Sequence, residues 1–96
     1  MKVLPTRCPA CADMLKVRRM VCRSCQTELE GLFALPALAR LSPDEQRFVL
    51  DFVKSSGSLK QMARLMKLSY PTVRNRLDEI IERIKICESE LSEAEG

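Results

Sequence analysis

Five cysteines carry the most chemistry in this chain, and four of them fall in two pairs, Cys8-Pro-Ala-Cys11 and Cys22-Arg-Ser-Cys25, with ten residues between. A Cys-x-x-Cys knuckle turns both sulfurs to one side of a tight loop. Two knuckles therefore supply the four thiolates of a structural zinc site. Four cysteine ligands close the coordination sphere and leave no position for water or substrate, so one Zn2+ at Cys8, Cys11, Cys22 and Cys25 is expected as a structural cofactor. The ten residues between the pairs suit a tight hairpin: Leu15 and Val17 alternate with Lys16 and Arg18, and Thr27, Leu29 and Gly31 continue the pattern. A zinc ribbon is expected over residues 1–31. Redox chemistry at one Cys-x-x-Cys would call for a thioredoxin-like strand and helix around it, which the sequence does not show.

The second chemical signal is charge. The net charge of +3 hides an asymmetry: residues 78–96 hold seven acids against Arg83 and Lys85, which leaves a net of plus eight on residues 1–77. From Gly57 to Leu77 the chain carries Lys60, Arg64, Lys67, Arg74 and Arg76 and no acid. Such a one-sign block is the footprint of a face that binds a polyanion. Lys16, Arg18, Arg19 and Arg23 add basic groups to the ribbon, where they serve phosphate contact and simple solubility equally well.

Three helices must position that block, and their punctuation is clear. Ser42-Pro43-Asp44-Glu45 reads as a capping box with proline at the first helical position, and Phe48, Val49, Phe52 and Val53 form the apolar stripe behind it. Ser55-Ser56-Gly57 ends this helix; Ser58-x-x-Gln61 is a second capping box, and Leu59, Met62, Ala63 and Met66 face the core. Ser69 caps a third helix, with Tyr70 and Pro71 in its first turn. Two short helices joined by a tight turn, with Ala63 at their crossing and Val73 and Leu77 filling the angle, make a helix-turn-helix. Its recognition helix is expected at 70–81. Tyr70, Thr72, Arg74 and Asn75, with Asp78 beside them, would face the bases of double-stranded DNA, since arginine grips guanine and asparagine adenine in bidentate fashion. Lys60, Arg64, Lys67, Ser69 and Arg76 would hold phosphates.

Two segments remain. Residues 32–41 are too apolar for a free linker, so Leu32, Phe33, Leu35, Leu38 and Leu41 are expected to be buried and to dock the parts together, on this chain or on a second one. Beyond residue 81, the apolar positions Val73, Leu77, Ile80, Ile84, Cys87, Leu91 and Ala94 recur at alternating spacings of four and three. That is the heptad seam of a coiled coil. It predicts a homodimer through Ile80, Ile84, Cys87 and Leu91, with Arg83 meeting Glu88 of a parallel partner, over a helical extension and acidic tail at 82–96.

The chain has no histidine, no nucleophile paired with a base and no glycine loop of the phosphate-cradling kind, so an enzyme is not expected. No stretch reaches about 18 uncharged apolar residues, so no membrane span is expected. MKVLPTRC lacks the apolar run of a secretory signal, which predicts a cytoplasmic protein with reduced cysteines. CPAC and CRSC, then LPALARLSPDEQRFVLDFV and GSLKQMARLMKLSYPTVRNRLDEII, together resemble the bacterial family catalogued as domain of unknown function 2089. The resemblance implies a zinc ribbon followed by a helix-turn-helix akin to the DNA-binding region of sigma factors. The expected fold is mainly α with a small β zinc ribbon, the helix-turn-helix domain lying at 42–81 with its last helix extended. The expected function is a zinc-stabilised, DNA-binding transcriptional regulator. The competing reading is an adaptor that docks on RNA polymerase, a sigma factor or another regulator.

Overall fold

The computed structural model describes residues 4–95, with side chains through Ser92. Helix α1 (Pro43–Lys54) starts where the capping box places it: the Glu45 N–H donates to Ser42 Oγ (3.2 Å) and the Ser42 N–H donates to Glu45 Oε1 (2.9 Å). It ends at Lys54, after which left-handed Ser56 (φ 56°) turns the chain so that the Gly57 N–H donates to the Phe52 carbonyl (2.9 Å), and Gly57 itself has φ of 80°. Helix α2 (Leu59–Met66) receives only the hydroxyl half of its expected box, the Gln61 N–H donating to Ser58 Oγ (3.2 Å). The Ser58 N–H is already satisfied by the Ser55 carbonyl (3.2 Å), so the Gln61 side chain has no donor to answer.

Helix α3 (Tyr70–Glu95) runs unbroken for 26 residues. At 1.5 Å per residue it is about 39 Å long, most of the 45 Å longest dimension of the molecule. Its first half closes the core, in which Leu41, Met62 and Val73 are fully buried beside Phe48, Leu59 and Ile80. Val49, Phe52, Ala63, Met66, Leu77 and Ile84 pack around them. Val53, expected in the α1 stripe, is exposed instead. It sits five residues beyond Phe48, about 140° around the helix, and so points away from the core.

The second half of α3 has packing partners within its own chain. It packs against a short 3-10 turn, Ala37–Arg40, of the same chain. Within the single chain Ile80 and Cys87 are buried, whereas Ile84 and Leu91 are half-buried. Arg83 likewise pairs with Glu45 at the start of α1 (2.9 Å) rather than with a partner's Glu88. Ala94, the last position of the expected seam, lies outside the described side chains.

Polar bonds fix the 37–40 turn in place. The buried Arg40 donates from Nε to the Leu35 carbonyl (2.9 Å) and reaches Glu90 of α3 (3.4 Å). Gln46 of α1 donates to the carbonyls of Leu41 (2.8 Å) and Ala39 (3.3 Å). Of the apolar residues expected to dock here, Leu35 and Leu41 are buried, whereas Leu32, Phe33 and Leu38 stay exposed. Ahead of the turn, strands β1 (Val17–Val21) and β2 (Glu28–Phe33) form an antiparallel hairpin pairing Arg19 with Glu30, Met20 with Leu29 and Val21 with Glu28. The register is irregular between Val17 and Arg19, so the simple alternation read through Lys16 and Arg18 breaks there.

Met62 has no exposed surface and stands at the centre of the helical core, so Met62→Ala should cost about 2–5 kcal/mol in urea unfolding. Leu38→Ala, at a side chain 55% exposed, should shift the same transition by no more than about 0.5 kcal/mol.

Candidate metal knuckles and nucleic-acid interface

The two knuckles are built alike. In the first, the Ala12 N–H donates to the Cys8 carbonyl (2.8 Å) and the Cys8 N–H to the Asp13 carbonyl (2.8 Å). In the second, the Gln26 N–H donates to the Cys22 carbonyl (3.1 Å) and the Cys22 N–H to the Thr27 carbonyl (2.7 Å). The residue after each second cysteine, Ala12 or Gln26, turns the chain with φ of 65°. The second knuckle forms the tip of the β1–β2 hairpin, whereas the first is a separate loop closed by a bridge between Arg7 and Met14. The hairpin therefore brackets the second pair of cysteines: β1 occupies the second half of the interval between the pairs and β2 follows Cys25.

Backbone amides point at the sulfurs. The Ala10 N–H donates to Cys8 Sγ (3.3 Å) and the Cys25 N–H to Cys22 Sγ (3.5 Å). Amides of Cys11 and Ala10 hold the Cys8 thiol below the usual thiol range. The Thr27 hydroxyl, 2.9 Å from Cys25 Sγ, is the main reason that the Cys25 thiol falls to about 7. Stabilised thiolates on a nest of amides are the donors that a zinc ion takes. The four cysteines stand as two local pairs; among the described residues, no three His, Cys, Asp or Glu side chains gather around one point.

The face expected to meet nucleic acid comprises α2, the turn after it and the start of α3. Lys67 ends α2 in the left-handed region (φ 56°, ψ 41°), where many such turns carry glycine, and the Leu68 N–H closes the end on the Ala63 carbonyl (3.0 Å). Ser69 caps α3: its Oγ accepts from the Thr72 N–H (3.4 Å) and lies 2.7 Å from Thr72 Oγ1. Both hydroxyls thus serve the helix start, which bears on the base role expected of Thr72 and the phosphate role expected of Ser69.

Counting about 100° per residue from the buried Val73, Arg74, Asn75 and Asp78 lie on the outward side of α3, between about 100° and 200°. Tyr70 falls nearer the buried stripe, at about 60°, and Thr72 and Arg76 flank the other side, at about 260° and 300°. Lys60, Arg64, Lys67, Tyr70, Thr72, Arg74, Asn75 and Arg76 are all exposed. Among the described residues Lys60, Arg64, Lys67 and Arg76 have no acidic partner, whereas Arg18 and Arg19 on the ribbon are matched by Glu28 and Glu30 at 3.7–4.0 Å. Arg18 and Arg19 therefore add little positive field, whereas the bases of α2, the turn and the start of α3 are unmatched apart from Arg74. Sequence reasoning missed the buried Arg40 and the left-handed Gln26. The second was legible, because Gln26 occupies in its knuckle the place Ala12 occupies in the other.

Glycine adopts the Lys67 backbone conformation freely, whereas lysine there is strained. Lys67→Gly should raise stability by roughly 1 kcal/mol in thermal or urea unfolding. The same substitution should weaken binding to duplex DNA, so stability and affinity move in opposite directions.

No helix among the described residues is long and apolar enough to cross a membrane. Comparison with curated proteins finds no match, and comparison with solved structures finds none either. Family comparison does match: residues 8–39 fit the DUF2089 zinc ribbon, and residues 41–86 fit the domain of unknown function (DUF2089)-HTH. The two matches meet at the 37–40 turn, and in order and extent they follow the knuckles, the hairpin and the three helices; the chain belongs to the DUF2089 family, a zinc ribbon followed by a helix-turn-helix.

Proposed function

We propose that this protein is a double-stranded DNA-binding regulator that reads the major groove with the first turns of α3. The observation that carries this reading is the exposed basic surface of Lys60, Arg64, Lys67 and Arg76 without acidic partners among the described residues, beside outward-facing Arg74 and Asn75. Burial of Val73, Leu77 and Ile80 fixes which side of α3 faces out. On that side arginine and asparagine have the donors and acceptors for guanine and adenine edges. Lys60 and Arg64 on α2, Lys67 in the turn and the amino end of α3 take phosphates.

The ribbon's proposed cofactor is one zinc ion held by Cys8, Cys11, Cys22 and Cys25, whose thiol donors and sulfur-directed amides fit it. Bound zinc supplies cross-linking of the two knuckles and no reaction chemistry. Because no ribbon residue belongs to the helical core, Cys22→Ser should lower zinc below one ion per chain by metal analysis while circular dichroism retains the helices.

Selection from a random duplex pool at about 0.15 M salt, followed by sequencing, tests the DNA reading. Enrichment of a defined motif is expected. Asn75→Ala should relax the preference at one or two positions by about 1–3 kcal/mol, whereas Lys60→Ala and Arg64→Ala should weaken all sequences alike and each reduce the salt slope by about 1. No enrichment from folded, zinc-loaded protein would contradict the proposal and favour a protein-docking role.

A further inference from the structure

The acid-poor surface ends at an ion pair on α3. Arg74 Nη2 lies 3.5 Å from Asp78 Oδ1, one turn further along α3, with both side chains about half exposed (53% and 54%). Asp78 is the first acid after Asp51, so it ends a stretch of 26 residues otherwise free of negative charge. Helix stability does not account for the pair. An acid placed four residues after a base is the less favourable order for an exposed helical ion pair, and such pairs contribute little in any order. A carboxylate facing phosphates also opposes binding.

The same carboxylate has a definite effect on its neighbour. An arginine on an exposed helix face samples many rotamers, and fixing it before binding removes part of the ordering cost of a two-point base contact. A carboxylate paired with one end of the guanidinium restricts its rotamers and leaves N–H groups unpaired for the fork that matches the O6 and N7 acceptors of guanine. Resting on the DNA reading above, we infer that Asp78 is a positioning residue. It orients Arg74 for a base and repels phosphate, which weakens attachment to unrelated sequences and sharpens selection at the position Arg74 reads.

The test uses the full zinc-loaded chain and two duplexes: the selected site and a copy altered at the base pair whose preference Arg74→Ala abolishes. Binding of each is measured at one fixed salt concentration. Asp78→Asn should reduce the ratio of the two affinities by about five-fold or more, the scale of one bidentate base contact, while binding to the altered duplex tightens. Asp78→Glu, which keeps the charge, should restore part of the ratio. In an Arg74→Ala background, Asp78→Asn should change both affinities by the same factor. An unchanged ratio in Asp78→Asn, or an equal change on both duplexes with Arg74 present, overturns the inference and leaves the DNA reading standing. Wild-type protein without any base preference overturns the DNA reading and this inference with it.

Discussion

Burial of one stripe on α3 governs the rest of the molecule. Val73, Leu77, Ile80 and Ile84 lie with the core of α1 and α2, and Cys87 continues the stripe to the level where the chain's own 37–40 turn packs on the helix. A helix of this length with one side held along its course cannot rotate about its axis. The side that carries Arg74, Asn75 and Asp78 is therefore presented outward by the core itself. Bound nucleic acid need not organise it.

Polar contacts complete the hold where apolar area is short. Arg40 is the one charged side chain among the buried described residues, and it ties the Leu35 carbonyl to Glu90 of α3, while Gln46 takes two carbonyls from the same connection. A segment without long regular structure is thereby made part of the helical body, with its backbone acceptors satisfied. The ribbon is organised separately: its strands pair with each other, its knuckles close on their own amides, and its Arg18 and Arg19 are matched by cross-strand glutamates. Lys60, Arg64, Lys67 and Arg76, on α2, the turn and the amino end of α3, have no acidic partner among the described residues.

Much of this was legible in the sequence because caps and turns are local. Ser42, Ser58 and Ser69 announced the three helix starts, and the paired cysteines announced both knuckles. Periodicity was informative about which face of α3 is apolar and silent about what covers it. Spacings of four and three suit a second helix and also the packed interior of one chain, and within this chain Ile80 and Cys87 are buried while Ile84 and Leu91 are half-buried. The apolar segment at 32–41 was recognised as a docking element, yet no local pattern says that Leu35 and Leu41 enter while Leu32, Phe33 and Leu38 do not. The pairing of Arg18 and Arg19 with Glu28 and Glu30 depends on a strand register that is irregular beside Arg18, which composition cannot supply. Left-handed Lys67 and Ala12 show that glycine is preferred at such turns without being required.

The central claim is that the surface left outward by the buried α3 stripe is the surface that meets DNA. Amide chemical-shift mapping of the isotope-labelled, zinc-loaded chain, titrated with the selected duplex, tests it most directly. The account predicts the largest changes from Lys60 through Asp78, with small ones along β1, β2 and the 37–40 turn. Changes concentrated on the ribbon, or at Leu38 and Leu50 with α3 unaffected, would contradict it.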